Sequence, residues 1–276
     1  MARFSGPLSL RLRARSSSKV TSSTPVYALT AEGDPNVGAV EGEDFVVAIE
    51  SRATPAASRD WLKTLREQTD KPVRYLVLTH YHAVRVLGAS AFEAQDIVMS
   101  RATRELVAER GLEDWKSEFG RMPRLARGAE EVPGRPTITF ATEHDIELGP
   151  DRVRPELRFL GRGRTGGDIV VWHDKTRTLY AGDLVEAKAA LCTGDAYHFD
   201  WATKTLDNVK AYRAENLVGG RSAVARGVPE TDAAVEHTRK FLNGMIENVG
   251  AVHRAGGTLK SAFEATHAAL APEFGA

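Results

Sequence analysis

Val73-Arg74-Tyr75-Leu76-Val77-Leu78-Thr79-His80-Tyr81-His82-Ala83-Val84-Arg85-Val86-Leu87-Gly88 decides how the rest of this chain is read. Tyr75 to Leu78 form an apolar run of strand length that stops at Thr79, and the next residues deliver His80 and His82 into a loop ahead of a short helix. A strand end fixes the backbone, and a one-residue gap lets two imidazoles converge on one ion, so the stretch reads as the mounting of a metal site. Tyr81, between them, is expected to point the other way and pack.

Working outward, 276 residues can bury a substantial core, as one large domain or two closely packed halves. Lys+Arg and Asp+Glu each number 37, giving zero formal net charge. That balance argues against a protein devoted to nucleic acid or an anionic membrane. The single cysteine, Cys192, cannot form an internal disulfide, and no apolar run reaches transmembrane length. A soluble protein of the reducing cytoplasm is expected; the sequence is silent on its oligomeric state. Residues 1–24 carry five basic residues, two serine clusters and no acid. They read as a leader or disordered tail, set apart from one domain over 25–276.

Upstream of the histidines, Val26–Leu29 and Phe45–Ile49 read as strands around turn-rich segments. Thr54-Pro55 reads as an N-cap with proline at the first helical position, opening a helix whose apolar face is Trp61, Leu62 and Leu65. Strand, helix and the strand into His80 make a βαβ unit with parallel neighbours, which places the histidines at a carboxyl edge of a sheet, where ligands bind. Downstream, Ser100 is expected to cap a helix continuing through Leu112, Trp115 and Phe119, and 121–135 reads as a basic loop. Strands follow at Thr137–Phe140, Ile146–Leu148, Leu157–Leu160, Ile169–Trp172 and Thr178–Ala181. Two lead into glycine-bearing turns, Gly161 to Asp168 and Gly182-Asp183, which can present side chains without crowding them. The chain then becomes mostly helical, with one short strand at Leu217-Val218 running into Gly219-Gly220-Arg221.

In these motifs the chain resembles the metallo-β-lactamase-fold hydrolases from Val26 to its end. The resemblance implies a four-layer αββα sandwich, with Val26–Trp172 covering most of the first half, and a site at one edge between the sheets. The family signature is His-x-His-x-Asp-His, then Gly-x-x-His-Thr, Gly-Asp and Gly-His turns. Here it falls on His80, His82, Val84 and Arg85, then on Arg164, Asp183 and Arg221. Valine has no donor atom and guanidinium no lone pair, so the two-metal site implied by the resemblance is not expected. His80, His82 and Asp183 remain as ligands for one zinc or iron ion at most, with His82 and Asp183 as catalytic candidates.

The three arginines oppose even that ion. At a separation of roughly 7 Å and an effective dielectric of about 20, each guanidinium pair repels by about 2 kcal/mol. Arg85, Arg164 and Arg221 should converge and could bind a small anion such as carboxylate, phosphate or sulfate. Alternatively they are structural, paired with Asp168, Glu186 or Asp195, and the histidines likewise hydrogen-bond to carboxylates. Asp183 is expected first as the partner of an arginine. Cys192 reads as a half-buried structural thiol, and the remaining histidines as surface or cap residues. Three functions stay open: a hydrolase with at most one metal acting on a small anionic substrate, a metal-free pseudoenzyme binding an anion through its arginine cluster, and a mononuclear iron oxidoreductase.

Overall fold

The computed structural model describes residues 24–30, 35–121, 136–150, 154–187 and 191–275. The leader and most of the basic 121–135 segment lie outside them. The first sheet contains β1 (Val26–Leu29), β2 (Val37–Glu41), β3 (Val46–Ile49), β4 (Val73–Val77), β5 (Asp96–Ser100) and β6 (Ile138–Phe140), side by side in sequence order. Between them come α1 (Pro55–Arg66), α2 (Ala83–Val86) and α3 (Arg101–Arg121). The second sheet runs β12-β11-β10-β9-β8-β7. Its strands are β7 (Glu143–Asp145), β8 (Pro155–Phe159), β9 (Ile169–His173), β10 (Thr178–Gly182), β11 (Asn216–Gly219) and β12 (Ala225–Arg226). Helix α4 (Leu206–Ala211) precedes β11, and α5 (Val228–Arg254) and α6 (Leu259–Phe274) close the chain.

Alternation along the strands explains the layers. In β1, Val26 and Ala28 enter the core between the sheets, where Val47, Val77, Leu157, Val171 and Val218 meet them. Tyr27 and Leu29 point to the opposite face, against Trp61 and Leu65 of α1. The outer face of the second sheet packs Leu179 and Leu217 against Leu206, Val235 and Leu242. Strands buried on both faces carry apolar residues at both phases of the pleat, and the helices complete a four-layer αββα sandwich. The expected βαβ unit is present: Thr54 Oγ1 accepts from Ala57 N at 3.1 Å to cap α1, and β3 pairs parallel with β4.

Two boundaries differ from expectation. The second sheet begins at Glu143, well before Trp172, because β6 and β7 are separated by only two residues and the chain changes sheets there. The strand expected at Ile146–Leu148 is instead Glu143–Asp145, whose backbone pairs with β8; Ile146 and Leu148 follow it and fill the inter-sheet core. Among the described residues no helix is long and apolar enough to cross a membrane.

Candidate metal centre

The strands aim their carboxyl ends at one edge of the sandwich. Beyond β4 lie Thr79, His80 and His82; beyond β3, Glu50; beyond β10, Asp183; and beyond β11, Gly220 and Arg221. The loop joining β8 to β9 contributes Arg164. At Gly182 the chain turns with φ +51, and a Cβ there would lie 2.6 Å from Thr79 Oγ1, so only glycine lets the Asp183 turn close onto the histidine loop.

His80, His82 and Asp183 each present a ligand atom within 4.8 Å of the other two. That suits one ion, whose bonds to such ligands are about 2.0–2.2 Å. His80 is fully buried, and burial lowers its pKa to about 3 against the pull of Asp183, so the ring is neutral. Its Nδ1 lies 2.9 Å from Thr79 Oγ1, while the Thr79 hydroxyl donates to Glu50. Nε2 faces Asp183 Oδ2 at 3.2 Å without a well-formed hydrogen bond. Two imidazoles and a carboxylate converging this closely are a donor set that one ion can take, so the residues fit a single ion.

A second ion has no such fit. Arg85 is fully buried and occupies its surroundings with internal bonds: one terminal nitrogen to Asn36 O at 2.9 Å, the other to Asp183 Oδ1 and to Gly220 O at 2.9 Å. Val84 offers no donor, Arg221 pairs with Glu186 and lies 3.8 Å from Asp183 Oδ1, and Arg164 pairs with Asp195. Burial works against the charge of Asp183, yet Arg85, His80 and Arg221 together hold its carboxyl well below the usual range. Burial and the neighbouring Asp183 charge push Glu186 the other way, up to about 8.

Several contacts had no counterpart in the sequence reading. Tyr81 is buried as expected, but its hydroxyl donates to Asp195 across the site. Asp195 also takes Arg164 and lies 3.5 Å from His82 Nε2, while Asp168 accepts from Thr165 N and Oγ1 in place of an arginine. Cys192 is exposed, and His173 is buried with Nδ1 2.8 Å from Thr176 Oγ1. The repulsion expected among three arginines is offset by Asp183 and Asp195, both held below the usual carboxylate range in their midst, while Arg221 also donates to Glu186. Of the carboxylates named from the sequence as partners, Asp183, Asp195 and Glu186 meet the arginines and Asp168 does not.

The family model of the metallo-beta-lactamase superfamily matches residues 31–221. The chain belongs to the metallo-β-lactamase superfamily. It is 26% identical over 178 residues to a metallo-beta-lactamase type 2 of Bacillus sp. (strain 170), covering 63% of this chain and 60% of that protein. A 2,4-dinitroanisole O-demethylase subunit alpha of Nocardioides sp. (strain JS1661) is 27% identical over 150 residues, 53% of this chain and 40% of that one. The match thus spans no more than 60% of the length of these relatives. A solved metallo-beta-lactamase from Pontibacter korlensis shares the fold with a TM-score of 0.63 at 21% identity, over 82% of this chain and 97% of that chain. A stereoselective inverting sec-alkylsulfatase from Pseudomonas sp. aligns with a TM-score of 0.66 at 15% identity, over 86% and 44%. Superfamily membership explains why the motif order survives, and the geometry shows what this chain has placed at the altered positions.

Proposed function

We propose that this chain is a hydrolase-type member of the superfamily that works with at most one metal ion, zinc or iron, held by His80, His82 and Asp183, on a small anionic substrate. The observation carrying this reading is the convergence of His80, His82 and Asp183, whose ligand atoms lie within 4.8 Å of one another, with His80 Nε2 buried and 3.2 Å from Asp183 Oδ2. An ion bound there supplies Lewis acidity toward a substrate oxygen. The protein's own groups do the rest. Arg221, with its side chain 25% exposed, is the arginine best placed to meet an anionic group from solvent, while Arg85, at 0%, is an internal counter-ion to Asp183. Arg164, 6% exposed, stands behind Asp195 and adds positive potential to the pocket. Relatives named as metallo-β-lactamases support the hydrolase class.

One observation favours a second reading, a metal-free pseudoenzyme that binds an anion: Arg85 and Arg164 are balanced by Asp183 and Asp195 without an ion, while Arg221, 25% exposed beside a Glu186 pushed up to about 8, keeps charge to offer a small anion. Elemental analysis of the purified protein separates the two. One equivalent of zinc or iron per chain is expected, lost in His80→Ala. Two equivalents overturn the single-ion reading, and none in either protein leaves the anion-binding one.

A further inference from the structure

His82 is enclosed on three sides. Its ring meets His80 edge-on with centroids 4.8 Å apart, lies 4.5 Å from the Tyr81 ring, and turns Nε2 toward Asp195 Oδ1 at 3.5 Å. Asp195 is not loosely placed. Tyr81 donates to Oδ2, Arg164 to Oδ1, and Arg110 Nη1 lies 3.7 Å from Oδ2. Tyr81 and Arg164 are each 5% exposed, so the carboxylate is anchored at both oxygens by buried donors. A carboxylate facing Nε2 at this range favours the proton on that nitrogen and leaves the lone pair on Nδ1. His80 has Nδ1 beside Thr79 Oγ1 at 2.9 Å and turns Nε2 toward Asp183.

We infer that Asp195 is a positioning residue that fixes the tautomer and orientation of His82, presenting Nδ1 to the ion held with His80 and Asp183. The inference rests on the single-ion reading and adds to it a residue that lies 12 positions past Asp183 and outside every motif of the chain. It also gives Arg164 a task. At the place where the superfamily signature has a histidine, this chain holds a guanidinium that grips Asp195, so a lost ligand is replaced by an indirect hold on a remaining one. A carboxylate behind a ligating imidazole raises its basicity and fixes its rotation, and removing such a partner typically costs about 10–100-fold in metal affinity.

The test uses the full chain, freed of metal by chelation and labelled with ¹⁵N, and reads imidazole nitrogen shifts before zinc is titrated in. In the wild type, His82 is expected to carry its proton on Nε2. Asp195→Ala is expected to mix the tautomers and weaken zinc binding about 10–100-fold. Asp195→Asn, whose carbonyl still accepts from Nε2–H, retains the tautomer and loses less affinity. Should the alanine variant fail to fold, Asp195→Asn and Tyr81→Phe supply the same readings, with intermediate effects in both. A wild-type His82 protonated on Nδ1 overturns the assignment, as does an alanine variant with unchanged tautomer and affinity. A wild type that binds no zinc but shows an Asp195-dependent Nε2–H tautomer sinks the single-ion reading and leaves the role of Asp195 standing.

Discussion

On one side of the site His80 sets one ring nitrogen beside Thr79 and the other toward Asp183, and His82 turns one toward Asp195. On the other side Arg85 and Arg221 have their guanidiniums engaged by Asp183 and Glu186. The first side brings two imidazoles and a carboxylate together and so can accept a cation. The second already contains cations, attached to the backbone, and its charges are satisfied. The contrast teaches that replacing the ligands of one half of the family signature need not leave that half empty. Asp183 belongs to both sides, since Oδ1 faces Arg85 and Oδ2 faces His80.

The sharpest way to break this comparison is to remove one guanidinium. Arg85→Met leaves Asp183 buried beside His80 with its main counter-ion gone, and removing one partner of a buried ion pair costs about 3–5 kcal/mol. His80→Ala removes no buried charge and is expected near the ordinary point-mutant effect of about 1 kcal/mol. Denaturant unfolding of both variants checks the order. Equal losses would mean that Arg85 is no more than packing. Combining Arg85→Met with Asp183→Asn should recover part of the loss, because no uncompensated charge remains.

A smaller wedge acts on the same side. Gly220 is the meeting point of Asp183, Glu186 and Arg85: a Cβ there would collide with Asp183 Oδ1 and lie 2.8 Å from Glu186 Oε1 and 2.9 Å from Arg85 Nη2. Gly220→Ala is expected to destabilise by about 1–3 kcal/mol, the range for forcing volume into a packed site. If the arginine side is rigid, as its buried hydrogen bonds imply, the loss reaches the upper half of that range. A neutral result would show that the pairs shift freely.

How much of this was legible in the sequence follows from the same division. The βαβ start, most of the strand runs and the positions of His80, His82 and Asp183 could be read, because local periodicity and glycine turns carry that information. β2 and β5 were not read as strands: Val37–Glu41 is interrupted by Gly38, and Asp96–Ser100 ends where a helix cap was evident. Asp183, Glu186 and Asp195 were named as partners for the arginines, but not which arginine each would meet. Asp195 meets Arg164 across 31 residues, and Asp183 meets Arg85 across 98. Such pairings depend on where loops from two sheets converge, which no local pattern encodes. Tyr81 illustrates the limit: burial was readable, but its hydroxyl reaches Asp195 at a separation of 114 residues.

The finest discrimination between the two sides is their response to pH in metal-stripped protein. Burial lowers His80 from 6.5 to about 3, so the folded state binds fewer protons in that window, and its contribution is full above 6.5 and lost as pH falls. Glu186 runs the other way. Burial and Asp183 raise it from 4.5 to about 8 against the pull of Arg221 and Arg85, so its contribution is full below 4.5 and lost as pH rises toward 8. Glu50, raised from 4.5 to about 7 mainly by burial, slopes in the same direction. Glu186→Gln should therefore flatten the alkaline decline while leaving the acid decline in place. The check is the difference in unfolding free energy between wild type and variant, followed from pH 4.5 to about 8. It should move against the wild type as pH rises. A constant difference, or one of opposite sign, would mean that the Asp183–Glu186 pair holds no extra proton. The arginine side would then be a set of ordinary ionised pairs, distinguished from the histidine side only by lacking lone pairs.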